Sequence, residues 1–68
     1  MNERVYKKIR VVGCSRESYE QAIRAALSKA SGSLHGMAWF EVVEHRGALV
    51  DGGVVEWQAT LDVAFKLD

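Results

Sequence analysis

The sequence predicts an α+β subunit of β-α-β-β order, a three-stranded antiparallel sheet wrapped on one helix, and three observations carry that expectation. Residues 54–67 alternate apolar and polar side chains almost without a break, as a half-buried strand does. Tyr19, Ala22, Ile23, Ala26, Leu27 and Ala30 recur at the spacing of a single apolar stripe on a helix. Two further strand-like stretches lie on either side of that helix, and Asp51-Gly52-Gly53 offers a hairpin turn between the last two strands.

The first strand is expected over residues 5–12, with Val5, Ile9 and Val11 on one face and Tyr6, Lys8 and Arg10 on the other. Gly13 is expected to end it. Ser15 then stands as the N-cap of a helix beginning at Arg16, with Glu17 near the positive end of the helix dipole. Gly32 is expected to close the helix in the left-handed conformation. The alanines make the stripe shallow, so a sheet can approach closely.

After a loop at 31–36, the second strand is expected over Met37 to Gly47. Alternation puts Ala38, Phe40 and Val42 on one face and Trp39, Glu41, Val43 and His45 on the other. In the last strand Val55, Trp57, Ala59, Leu61, Val63, Phe65 and Leu67 form the face expected to lie on the helix. Its length and regularity place it in the centre of the sheet, antiparallel to both others.

Sixty-eight residues make one domain, 1–68, and a domain of this size buries only about 60% of its unfolded surface. Added burial is needed, and oligomerisation is its natural source because Cys14 is the only cysteine. Cys14, His35 and His45 are too scattered for the ligand spacing of structural zinc. Nine basic and nine acidic residues balance, which disfavours nucleic acid and anionic membranes as partners. No apolar signal region opens at Met1-Asn2-Glu3-Arg4 and no apolar run is long enough to span a bilayer, so a cytoplasmic protein is expected.

Enzymatic readings find little support. Cys14 precedes a helix, where a dipole favours thiolate, but no base stands beside it in the sequence, and neither histidine has a paired carboxylate or nucleophile. The basic residues Lys7, Lys8 and Arg10 lack an aromatic RNA-binding motif. Glycines 47, 52 and 53 spell no phosphate-binding fingerprint.

Trp39 is the side chain that fits its face worst: a large aromatic on the more polar side of a strand wants a cover, either a second subunit or a planar ligand. Pattern alone leaves both open. Gln58 shares the face, and its amide can donate and accept toward a heterocycle edge. Folding the hairpin at Asp51-Gly52 puts Trp39 opposite residues near Ala64 and Gln58 opposite residues near His45. The two are then about 20 Å apart, so any small ligand they share must lie between subunits.

Val5-Tyr6-Lys7-Lys8, Gly13-Cys14-Ser15, Ala22-Ile23, Ala25-Ala26-Leu27, Arg46-Gly47 and Val63-Ala64-Phe65-Lys66-Leu67 together resemble the dodecins, small flavin-binding proteins of bacteria and archaea. The most specific part is Trp39-Phe40-Glu41-Val42 with Gln58 beyond it. The resemblance implies a hollow homododecamer that stores, buffers and photoprotects flavin without catalysing with it. It also implies that Trp39 stacks on the isoalloxazine ring, that Gln58 hydrogen-bonds the ring's polar edge, and that Arg46 and Lys66 lie near the phosphate of FMN. Riboflavin, FAD and lumichrome are alternative ligands, and coenzyme A is a further one. Cys14, Ala38, Trp57 and Lys66 depart from the commoner family pattern. The other reading is a flavin-independent oligomeric scaffold whose Trp39 is covered by a neighbouring subunit.

Overall fold

The first strand runs past the glycine expected to end it. In the computed structural model, which describes residues 3–50 and 52–67, β1 is Tyr6–Ser15. Met1, Asn2, Asp51 and Asp68, and the side chains of Val50 and Val54, lie outside that description, and with them the Asp51 part of the expected turn. Gly13 is the point where the strand passes beneath the helix. A Cβ there would collide with the Ala22 carbonyl oxygen and stand 2.8 Å from the Ala26 Cβ. The missing side chain therefore permits close packing and does not terminate the strand.

Helix α1 is Tyr19–Ser31, three residues later in its start than expected. Its N-cap is Ser18, whose hydroxyl oxygen accepts from the Gln21 amide at 3.1 Å, while Ser15 only accepts from the Glu17 amide at 3.0 Å in the preceding turn. The signal was present as Ser18-Tyr19-Glu20-Gln21, the spacing of a capping box. At the other end Gly32 is right-handed, with φ −72°, and its amide donates to the Lys29 carbonyl at 3.3 Å. The left-handed residue of this connection is Gly36, with φ 70°.

Strands β2, Met37–Val50, and β3, Val54–Lys66, complete one antiparallel sheet of order β1-β3-β2, with the longest alternating segment in the centre. Gly52 and Gly53 take φ 79° and 107° in the turn between them. Ala22 and Ala26 pack on Ala59, Leu61 and Val63, with Ile9, Val11, Ile23, Leu27 and Met37 around them. Leu61 and Val63 are the largest fully buried side chains. The core is real but thin.

Two register shifts break the regular pairing of β2 with β3, one between Met37 and Trp39 and one between Val42 and Glu44. The first lets Met37 reach the core while Trp39 faces away from the helix. The second reverses the alternation beyond Val43, because an extra residue on one strand moves every later side chain to the opposite face. His45 consequently pairs with Ala59 on the helix side, stacked on Tyr19 at 4.4 Å, and does not share the face of Trp39 as uninterrupted alternation predicts.

Helix α1 lies over β1 and β3 and leaves β2 largely uncovered. Thirteen helical residues span about 20 Å, whereas a fourteen-residue strand runs about 46 Å, so much of the hairpin extends beyond the helix. Phe40, Val42, Leu49 and Val55 remain exposed for that reason. Apolar side chains are thus left to water on the side of the sheet that already carries the core.

Candidate functional site

The face of the sheet turned away from the helix is crossed by successive rows of paired residues. Near one end Lys8, Ala64 and Trp39 stand side by side on β1, β3 and β2, with Arg10, Asp62 and Glu41 in the next row. Near the other end the row is Cys14, Gln58 and Arg46. Trp39 and Gln58 therefore belong to one face, and the six residues from Ala64 to Gln58 set them about 20 Å apart.

Trp39 is 44% exposed, with the fully buried Ala64 as its cross-strand neighbour. Tyr6 flanks it at 4.9 Å between ring centroids and 60° between planes. Its Nε1–H donates to Glu41 Oε2 at 2.9 Å. Glu41 in turn accepts from Lys8 Nζ at 3.1 and 3.3 Å, Lys8 approaches Asp62 at 4.0 Å, and Asp62 takes two hydrogen bonds from Arg10 at 2.7 and 3.1 Å. The Trp39 N–H, and after it the hydrogen bond from Lys8, hold the Glu41 carboxyl below the usual glutamate range. Arg10 does the same for Asp62, against partial desolvation, and is itself raised in return.

At the far end Arg46 Nε donates to Gln58 Oε1 at 2.6 Å, and Gln58 Nε2 donates to Glu56 Oε1 at 2.9 Å. The carboxamide is held from both sides, one N–H and one oxygen lone pair remaining for another partner. Cys14 is the cross-strand neighbour of Gln58. Desolvation and then Glu56 push its thiol up, with Arg46 opposing, so at neutral pH it is a protonated thiol and a poor nucleophile.

The four residues expected at a ligand thus separate into two pairs. Arg46 joins Gln58, while Lys66, opposite Tyr6 on β1, lies at the Trp39 end. One chain does not bring both cations to one phosphate. His35 is exposed, and among the described residues no cluster of His, Cys, Asp and Glu is arranged to hold a metal ion. No helix among them is long and apolar enough to cross a membrane.

Sequence reasoning missed Glu41 and Glu56 as partners of the two site residues. Each stands two positions from its partner on the same strand face, Glu41 from Trp39 and Glu56 from Gln58, so alternation already contained the signal. Tyr6 was harder to find, since its approach to Trp39 depends on register across the central strand.

An open sheet displaying one half-exposed aromatic and one held carboxamide, on a subunit whose core is incomplete, defines a small binding module of β-α-β-β type. The chain belongs to the dodecin family, whose family model matches residues 5–68. It is 48% identical over 65 residues to the dodecin of Thermus thermophilus, covering 96% of this chain and 94% of that one. The solved dodecin of Streptomyces davaonensis superimposes with a TM-score of 0.89 at 46% identity, covering 98% of each chain. A more distant relative, calcium dodecin of Mycobacterium tuberculosis, is 33% identical over 63 residues, 93% of this chain and 89% of that one. Dodecins are small oligomeric proteins that bind small ligands.

Proposed function

We propose that this chain is a flavin-storing and photoprotecting protein of the cytoplasm that assembles into a hollow homododecamer and stacks FMN or riboflavin on Trp39 between subunits. Gln58 of another subunit hydrogen-bonds the polar edge of the ring, and the chain is a binding protein, not an enzyme. The observation that carries this reading is the placement of a half-exposed Trp39 and the held Gln58 amide on one sheet face about 20 Å apart. An isoalloxazine ring is too small to touch both within one subunit. An exposed indole next to a buried alanine fits a flat ring, and an amide with a spare donor and acceptor fits its heteroatom edge.

Arg46 and Lys66 supply the positive charge for the FMN phosphate from their different subunits. FAD, lumichrome and coenzyme A are tested in parallel as further ligands. Titration of the assembled protein with FMN or riboflavin should quench flavin emission as the ring meets the indole. Trp39→Ala should weaken binding about tenfold, since a stacked base on an aromatic platform contributes about 1–3 kcal/mol in the comparable nucleic-acid case. Flavin still held by that variant should emit more brightly than in the parent. An assembled Trp39→Ala protein that binds flavin as tightly as the parent would leave Trp39 as an interface aromatic and favour the scaffold reading.

A further inference from the structure

We infer that Glu41 is a positioning residue for the Trp39 platform: by accepting the indole N–H it fixes which way the ring face is presented to a ligand. The inference rests on the reading of Trp39 as a stacking surface. A half-exposed indole on an open sheet has two side-chain torsions to settle, and apolar contact with Ala64 and Tyr6 does not by itself distinguish one edge of the ring from the other. The bond from Nε1 to Glu41 Oε2 at 2.9 Å does, because only one edge carries a donor.

An isolated surface carboxylate would wander, but Glu41 is held in its turn. Lys8 meets both of its oxygens, and Lys8 also lies 4.0 Å from Asp62, which Arg10 grips by two hydrogen bonds. The series Arg10, Asp62, Lys8, Glu41, Trp39 crosses all three strands and ends on the indole. Each carboxylate in it faces at least one cation, and Glu41 also faces Asp62, whose charge Lys8 and Arg10 offset. A solvated charge cluster would have no reason to end on the one aromatic expected to stack. The acceptor preorganises the platform, so less ordering is needed when a ligand arrives.

The test uses the assembled protein with Trp57→Phe as background, leaving Trp39 as the remaining tryptophan. The indole N–H proton resonance of Trp39 is followed without flavin against pH, and riboflavin affinity is then measured. In the parent the resonance should move as Glu41 takes up a proton, below the usual glutamate range. Glu41→Gln should abolish that movement while keeping a neutral acceptor, and riboflavin affinity should stay within about twofold of the parent. Glu41→Ala should shift the resonance and weaken riboflavin about threefold to tenfold. A pH movement that persists unchanged in Glu41→Gln, or a Glu41→Ala resonance at the parent position, overturns the inference, and so does parent-like riboflavin affinity in an assembled Glu41→Ala protein. Should Glu41→Ala fail to assemble, the pH response of Glu41→Gln decides. If the parent binds no flavin, the proposed function falls, and the resonance alone decides whether Glu41 holds the indole.

Discussion

Arg46 Nε and Gln58 Oε1 are 2.6 Å apart, and they meet because of a register shift in β2 between Val42 and Glu44. Unbroken alternation from Trp39 would turn Arg46 toward the helix and His45 outward. The extra residue exchanges them, putting a guanidinium beside the glutamine and an imidazole on Tyr19. A bulge in a strand thereby composes one end of the proposed site.

The same bond changes what Arg46 is expected to do. A cation that served only a phosphate would affect FMN and leave riboflavin alone, and that remains the expectation for Lys66→Ala. Arg46→Ala also releases one side of the Gln58 carboxamide. It should weaken riboflavin about threefold, from the loss of one orienting hydrogen bond, and FMN by more. Parallel titrations of both ligands separate the two roles, and an Arg46→Ala protein with parent affinity for riboflavin would confine Arg46 to phosphate.

Two neighbouring residues should respond to substitution in opposite ways. Gly13→Ala drives a Cβ toward the Ala22 backbone carbonyl, which the helix holds in place, so overpacking should cost about 1–3 kcal/mol and lower the midpoint of thermal unfolding. Cys14→Ser points away from the helix, keeps a small polar group beside Gln58, and should leave assembly and flavin binding unchanged. Calorimetry with a flavin titration checks both, and loss of binding in an assembled Cys14→Ser protein would give the thiol a role that its raised pKa does not favour.

Acid should loosen the face on which Trp39 stands. Asp62 and Glu41 both have folded-state pKa values lowered, by hydrogen bonds from Arg10 and from Trp39 and Lys8 respectively. A depressed carboxyl stabilises the folded state fully above its unfolded value, and that contribution disappears as pH falls through the lower folded value. Stability should therefore be flat near neutrality from these groups and decline below the ordinary carboxylate range. Asp62→Asn should flatten that acid decline. High salt should have a similar but smaller effect, because these pairs are open to solvent. Unfolding midpoints measured across acidic pH for parent and variant provide the check.

Much of this was readable from residue order because it depended on periodicity. The apolar stripe of α1, the alternation of β3, and the common face of Trp39 and Gln58 follow from repeats of 3.6 and 2 residues. The hairpin count also came out right, with Trp39 opposite Ala64 and Gln58 one residue from the expected partner. What periodicity could not supply was the point at which it is interrupted. Nothing in Val42-Val43-Glu44 announces a bulge, so uninterrupted alternation puts His45 on the wrong face. Gly13 was misread for a related reason, since a glycine that ends a strand and one that lets a helix approach look alike until the helix is in place.

The separation of Trp39 from Gln58 leads to a prediction that single variants cannot test. If each flavin lies between an indole from one subunit and a carboxamide from another, Trp39→Ala and Gln58→Ala subunits should complement one another in a mixed assembly. Either variant alone offers no site with both contacts. When equal amounts co-assemble at random, about a quarter of the positions should combine an intact Trp39 with an intact Gln58 from different chains, as a symmetric oligomer requires. Those positions should bind and quench riboflavin as the parent does, and titration should resolve them as a tight fraction above a weak background. A site contained within one subunit would gain nothing from mixing, because every subunit would still lack one residue. Absence of the tight fraction in a verified mixed oligomer would refute a shared site.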